Sequence, residues 1–242
     1  MAIKLVFIPG LVSDRRAWLK VDENIASQGF ETFIADVSTA ESLTAMAQSI
    51  LDETEGRLIA VGHSMGGRVA MELARLAPDR LAGMVLVATG AHPLAEGEIA
   101  NREKVVAIAH TEGMQALCDH WLPPMLAPDT PSMYPALYFH LQQMIIEAGP
   151  QVHERQIRAL IARPDARWVL ENFTAPILFV AGEHDGWSTP EQHQEMASLV
   201  KRGRSEVVVV PGAGHFLQVE RPEKFSQLLL QWLQKIELSG PR

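Results

Sequence analysis

The sequence predicts an α/β domain built on a mostly parallel sheet of about six strands, flanked by helices and interrupted by a helical insert after the fourth strand. Three observations lead there. Six short runs rich in Val, Ile and Leu recur along the 242 residues. Within them apolar side chains stand at successive rather than alternate positions, as in strands buried on both faces. Helix-like spacing separates the runs, which calls for crossover connections and parallel pairing.

The strand runs are "IKLVFIP" from residue 3, "ETFIADV" from 31, "RLIAVG" from 57, "LAGMVLVAT" from 81, "APILFVAG" from 175 and "SEVVVVPG" from 205. The clearest helix is the last, where Phe225, Leu228, Leu229, Trp232, Leu233 and Ile236 recur at helical spacing behind Pro222. Another follows residue 64, with Val69, Leu73 and Leu76 on one side. Regular alternation stops between about residues 92 and 168, where helix-like segments flank the proline-rich "WLPPMLAPDTPSMYP". The expected organisation is a core of residues 1–91 and 168–242 with a helical cap at 92–167. The length suffices for one such domain with a sizeable interior.

Composition narrows the partners. Lys plus Arg number 21 against 29 Asp plus Glu, a formal charge of −8, and no basic run offers a surface that tracks phosphates. Nucleic acid is therefore not an expected partner. The single cysteine, Cys118, forms no intrachain disulfide, and the His/Cys spacing matches no zinc site, so neither metal nor other cofactor is expected. The opening "MAIKLVFIPG" is too short and too soon broken by proline for a secretion signal, and no stretch approaches a membrane span. The expectation is a cytoplasmic protein, monomeric or homodimeric, that acts on a small molecule.

The segment "AVGHSMGGRVAMELA", residues 60–74, puts Ser64 among Gly62, Gly66 and Gly67 where a strand turns into a helix. Glycine loses more entropy on folding than alanine, so three at one junction need a reason. A Gly-x-Ser-x-Gly elbow supplies one: the serine sits on a strained turn, and the glycines remove side chains that would clash there. The first amides of the following helix then point at the reacting atom, so the Met65 N–H becomes a candidate oxyanion donor. A serine nucleophile also needs a base and an orienting acid. "LFVAGEHDGWSTP" places Glu183 and Asp185 past one strand, and "VVVVPGAGHFLQVERP" places His215 past the last, both at the edge where α/β sheets carry their sites.

On "GHSMGG", "GEHDGWSTP" and "GAGHF" the chain resembles the α/β-hydrolase superfamily, over essentially everything outside the insert. The resemblance implies Ser64 as nucleophile, Asp185 as acid and His215 as base, with Glu183 left structural. Serine at the nucleophile position disfavours the family's epoxide hydrolases and haloalkane dehalogenases. The family's usual His-Gly after the first core strand is Pro9-Gly10 here, but the Leu11 amide keeps the place of the second oxyanion donor. The expected activity is hydrolysis of a small carboxylic ester or lactone through an acyl-enzyme on Ser64. Three alternatives share these residues: a lyase similar to the pyruvate-eliminating synthase of menaquinone biosynthesis, a carbon–carbon bond hydrolase, and a ligand receptor with vestigial turnover.

Candidate substrate-binding residues are Arg68, one helical turn after Ser64, and Trp121, Leu122, Met125 and Tyr138 of the apolar insert, which favours apolar acyl groups. In the lyase alternative Arg102, Arg155 and Arg158 are the insert cations that would bind carboxylates. Histidines 63, 92, 120 and 140 are read as packing, surface or pocket edge, and Trp18 and Trp187 as packing.

Overall fold

A computed structural model of the chain describes residues 3–238. The elements, in chain order, are β1 (Ile3–Ile8), α1 (Leu19–Ala26), β2 (Glu31–Ile34), α2 (Leu43–Glu53), β3 (Arg57–His63), α3 (Met65–Leu76), β4 (Leu81–Val87), α4 (Glu98–Thr111), α5 (Met114–Trp121), α6 (Thr130–Met133), α7 (Pro135–Ile161), α8 (Arg167–Asn172), β5 (Ile177–Gly182), α9 (Pro190–Ser198), β6 (Ser205–Val210), α10 (Leu217–Glu220) and α11 (Pro222–Leu238). The strands form one sheet in the order β2-β1-β3-β4-β5-β6, and every neighbouring pair is parallel.

Burial follows position in the sheet. All of β4 and β5 and all of β3 after Arg57 are buried, whereas the edge strands β2 and β6 are mostly half-buried. This is why the central runs read as continuous apolar sequence. On one face α1 packs on α11. Trp18 anchors that layer: fully buried, it stacks on Phe7 of β1 at 5.1 Å and meets Phe225 of α11 at 5.8 Å. Packing is its role, as its sequence context suggests. A Cβ on Gly83 of β4 would come within 2.9 Å of Trp232, so the missing side chain lets α11 settle on the sheet. Elsewhere α2 packs on α3, α3 on α8, and α8 on α9.

The chain runs from β1 outward to β2, then crosses back to β3 on the other side of β1. At this reversal the loops after β1 and β3 diverge and leave a crevice at the carboxyl edge of the sheet. The register pairs Ile8 with Gly62, which sets the loop after β1 directly beside the turn that carries Ser64.

Between β4 and α8 lie α4 to α7, which pack mainly on one another. The two ends of this segment meet where the Ala166 N–H donates to the Ala91 carbonyl at 2.9 Å. In its proline-rich stretch Pro131 stands in the first turn of α6 and Pro135 opens α7, so these two begin helices rather than break them. The proline-rich stretch is accordingly more helical than its composition implies. Gly149, at φ +79° and followed by Pro150, kinks α7 and turns its second half toward the sheet edge.

Candidate active site

Ser64 occupies φ +53°, ψ −112°, a conformation that non-glycine residues rarely adopt and that costs about 1–3 kcal/mol. The turn is held by hydrogen bonds on both sides: the Ser64 N–H donates to Val87 O at 2.9 Å, while Thr89 Oγ1–H and Gly67 N–H donate to Ser64 O at 2.6 and 3.0 Å. Glycine is required around it. A Cβ on Gly62 would collide with the backbone of Gly66, and one on Gly66 with the carbonyl of Ile8. The elbow is strained but over-determined, so the serine hydroxyl stands clear of the helix and faces the crevice.

There Ser64 Oγ lies 2.9 Å from His215 Nε2, and His215 Nδ1 lies 2.8 Å from Asp185 Oδ2. A carboxylate only accepts, so Nδ1 carries the proton and Nε2 is free to accept from the serine hydroxyl. The Asp185 side chain is fully buried, and the amides of Trp187 and Ser188 donate to its other oxygen, each at 2.9 Å. Burial alone would push this carboxyl up, but the charge and hydrogen bond of His215, with the two amides, hold it below its ordinary value. Glu183 is placed elsewhere, accepting from the Gly212 N–H at 2.8 Å. Asp185→Asn is therefore expected to cut kcat about 10⁴-fold, because an amide would favour the wrong imidazole tautomer. Glu183→Gln should leave kcat within about threefold, and steady-state kinetics on both variants check the ranking.

His63 is fully enclosed beside the elbow and donates from Nε2 to the carbonyl of His215 at 2.9 Å. Burial pushes its pKa down to about 3, so it stays neutral next to His215 rather than competing as a base. Leu11 and Met65 line the same cavity as Ser64, and among the described residues neither backbone N–H has a protein acceptor. Amide pairs of this kind can hold an anionic oxygen, which keeps Leu11 and Met65 as the candidate donors.

The cavity holds about 390 Å³. Its apolar lining includes Val105, Trp121, Met125, Ile157, Leu160 and Trp187, so α4, α5, the turn after it and α7 all reach over Ser64. Trp187 contradicts its packing assignment: it is 53% exposed and meets Trp121 edge-on at 6.5 Å at the cavity wall. Leu122 and Tyr138 are also corrections, since neither lines the cavity. Leu122 follows Trp121 by one residue, about 100° further round the helical turn, and is buried among the helices instead. Tyr138 sits in the first turn of α7, whereas only the half beyond the Gly149 kink contributes to the wall.

The cavity lining also carries charge. Arg68, Arg102, Arg163 and Glu98 all line it. Glu98 binds Arg163 at 2.7 and 2.6 Å and Arg102 at 2.8 Å, and these contacts, working against burial, depress its carboxyl. Arg163 also donates to the carbonyls of His92, Pro93 and Leu160, which uses up its fork. Arg68 is different: it is 8% exposed, and its guanidinium makes one hydrogen bond, to His92 O at 3.0 Å, among the described residues. Burial first, then Arg163 and Arg102, push its pKa down to about 9, so it remains a cation at neutral pH. Of the three insert arginines singled out from sequence, only Arg102 is here. Arg155 donates to Ser38 O, and Arg158 pairs with Glu154 and Glu103 on the outer side of α7. Arg163 was missed because it lies past the end of α7, where the chain turns back toward β4.

One buried carboxylate joins the helical segment to the histidine loop. Glu220 accepts from Ala127 N–H at 2.9 Å, Thr130 Oγ1–H at 2.7 Å and Gly214 N–H at 2.9 Å, and His215 N–H donates to Met125 O at 2.6 Å.

A sequence model of the alpha/beta hydrolase family matches residues 5–228. Among known proteins, the chain is 28% identical over 248 residues to the dihydrolipoyllysine-residue acetyltransferase component of the acetoin cleaving system of Pseudomonas putida, covering 96% of this chain and 63% of that one. It thus spans less than two thirds of that relative's length. It is 25% identical to the 2-succinyl-6-hydroxy-2,4-cyclohexadiene-1-carboxylate synthase of Salmonella newport, over 95% of this chain and 93% of the relative. Among solved structures it resembles a thermophilic esterase from Thermogutta terrifontis with malate bound, with a TM-score of 0.86 and 28% identity over 98% of this chain and 90% of that one.

Proposed function

The chain belongs to the α/β-hydrolase family, and from that premise we propose that it is a serine esterase whose substrate is a small ester or lactone carrying a free carboxylate. The observation that carries this reading is the meeting, in one cavity, of the Ser64–His215–Asp185 line with the buried and largely unpaired guanidinium of Arg68. A desolvated cation without a direct ion pair is costly, and a substrate carboxylate entering the cavity would neutralise it through charge-assisted hydrogen bonds. This replaces the preference for apolar acyl groups expected from the composition of the insert. The apolar wall would hold the linking carbons, and Arg68 with Arg102 the anionic end.

In the reaction His215 Nε2 takes the Ser64 proton as Oγ attacks the ester carbon. The Leu11 and Met65 amides hold the developing oxyanion, and Asp185 stays ionised to stabilise the imidazolium. Collapse expels the alcohol, which leaves with the proton from His215, and the acyl group stays on Ser64. Water, deprotonated by the same nitrogen, then releases the carboxylic acid. No further reactant is needed.

The synthase relative and the arginines together support a second reading, in which the same serine and histidine remove a substrate proton and no acyl-enzyme forms. Comparison of monomethyl glutarate with methyl pentanoate tests the first. Wild type should hydrolyse the charged ester with a kcat/KM about 10²-fold higher, the equivalent of one charge-assisted pair. Equal or better turnover of the neutral ester would remove the carboxylate from the proposal.

A further inference from the structure

Gln156 is a buried polar side chain of the helical segment that serves a backbone group far away in sequence. It sits on α7 with no exposure, and its Oε1 accepts from the Val12 N–H at 2.7 Å, across 144 residues; its Nε2 reaches Val37 O at 3.4 Å. Val12 belongs to the tight turn after β1, closed by Ser13 N–H donating to Gly10 O at 3.3 Å. It has φ +47°, the left-handed region that a β-branched residue avoids and that glycine normally fills at this place in a turn. Valine stays there only because its surroundings hold it.

The turn is pinned group by group. The Leu11 carbonyl accepts from Ser13 Oγ–H at 3.2 Å, the Val12 amide is taken by Gln156, and the Leu11 N–H is left without a protein acceptor beside Ser64. Holding the Leu11–Val12 peptide plane, together with the Ser13–Gly10 bond that closes the turn, restricts the direction of the amide one residue before it. We infer that Gln156 is a positioning residue for the oxyanion hole: a side chain of the helical segment, it aims the Leu11 N–H at the reacting carbonyl oxygen by holding the Val12 amide. Ile157, its neighbour on α7, lines the cavity, so the helix that walls the substrate also sets one of the two donors. This rests on the serine-esterase reading.

An oxyanion donor acts in the transition state and hardly in the ground state, which separates this role from simple filling of the interior. The experiment measures kcat, KM and the affinity of a trifluoromethyl ketone matched to the ester, which forms a tetrahedral adduct on the serine. Gln156→Met removes the acceptor at similar size; kcat should fall about 10²-fold with KM within about threefold, and the ketone should weaken by the same factor as kcat. Gln156→Glu keeps an acceptor for Val12 and should retain kcat within about tenfold of wild type. A folded Gln156→Met enzyme with wild-type kcat, or one whose kcat falls while ketone affinity does not, overturns the inference. Should Gln156→Met fail to fold, Gln156→Glu decides alone, and a loss of about 10²-fold or more in it also overturns the inference. Wild-type protein without turnover dependent on Ser64 defeats the esterase reading and this inference together, whereas an active wild type with a silent Gln156→Met defeats only the inference.

Discussion

Ser64→Ala is expected to lower kcat for the preferred ester by about 10⁶-fold while leaving the protein folded. The size follows from what is lost: the atom that becomes acylated, and with it any use for His215 and Asp185, whose contributions exist only through the serine. Stability should hardly change. The turn is held by Val87, Thr89 and Gly67 through backbone atoms of residue 64, and alanine keeps all of these. The hydroxyl itself contributes one hydrogen bond, to His215. Thermal unfolding beside steady-state kinetics checks both halves, and residual turnover within about tenfold of wild type would exclude a covalent serine mechanism.

Arg68→Met is expected to act on one class of substrate. It keeps an unbranched apolar stem in the helix and removes the guanidinium, so kcat/KM for monomethyl glutarate should fall about 10²-fold while methyl pentanoate is unaffected or improved. Arg68→Lys should recover only part of the loss, because an ammonium supplies charge without the planar fork. Measurement of both esters on both variants distinguishes recognition from damage to the elbow one turn away, since damage would lower the two rates together. Arg163 offers no equivalent test: its donors are spent on Glu98 and three carbonyls, so its replacement would loosen the cavity wall itself.

The sheet is legible in the sequence because strands buried on both faces must be apolar at every position, and that pattern survives without knowledge of their neighbours. Ser64, Asp185 and His215 are legible for a related reason: each follows the carboxyl end of a strand, in a short motif whose glycines answer local steric demands. The cavity is not. Which side of a helix faces Ser64 depends on how α4 to α7 pack, so Trp121 and Met125 reach the cavity while Leu122, adjacent to Trp121, does not. The charged wall is hidden by the same cause. Arg155 and Arg158 stand on the same helix as Gln156 and point elsewhere, while Glu98, Arg102 and Arg163 come together from distant parts of the segment. Gln156 and Val12 are the extreme case, a single hydrogen bond between residues that no local pattern relates. Trp187 was misjudged because an aromatic next to a catalytic loop reads as core until its exposure is known.

The most direct measurement is the site of covalent capture. Wild-type protein is mixed with its preferred ester, quenched in acid within the first turnovers, digested and mapped by mass spectrometry, with a fluorophosphonate-treated sample in parallel. The predicted result is one acyl group and one phosphonyl group per chain, both on the peptide that contains Ser64, and neither on Ser64→Ala. Product formation at full rate with no acylated Ser64 in the quenched samples would contradict the serine-esterase mechanism and leave proton abstraction as the chemistry of this site.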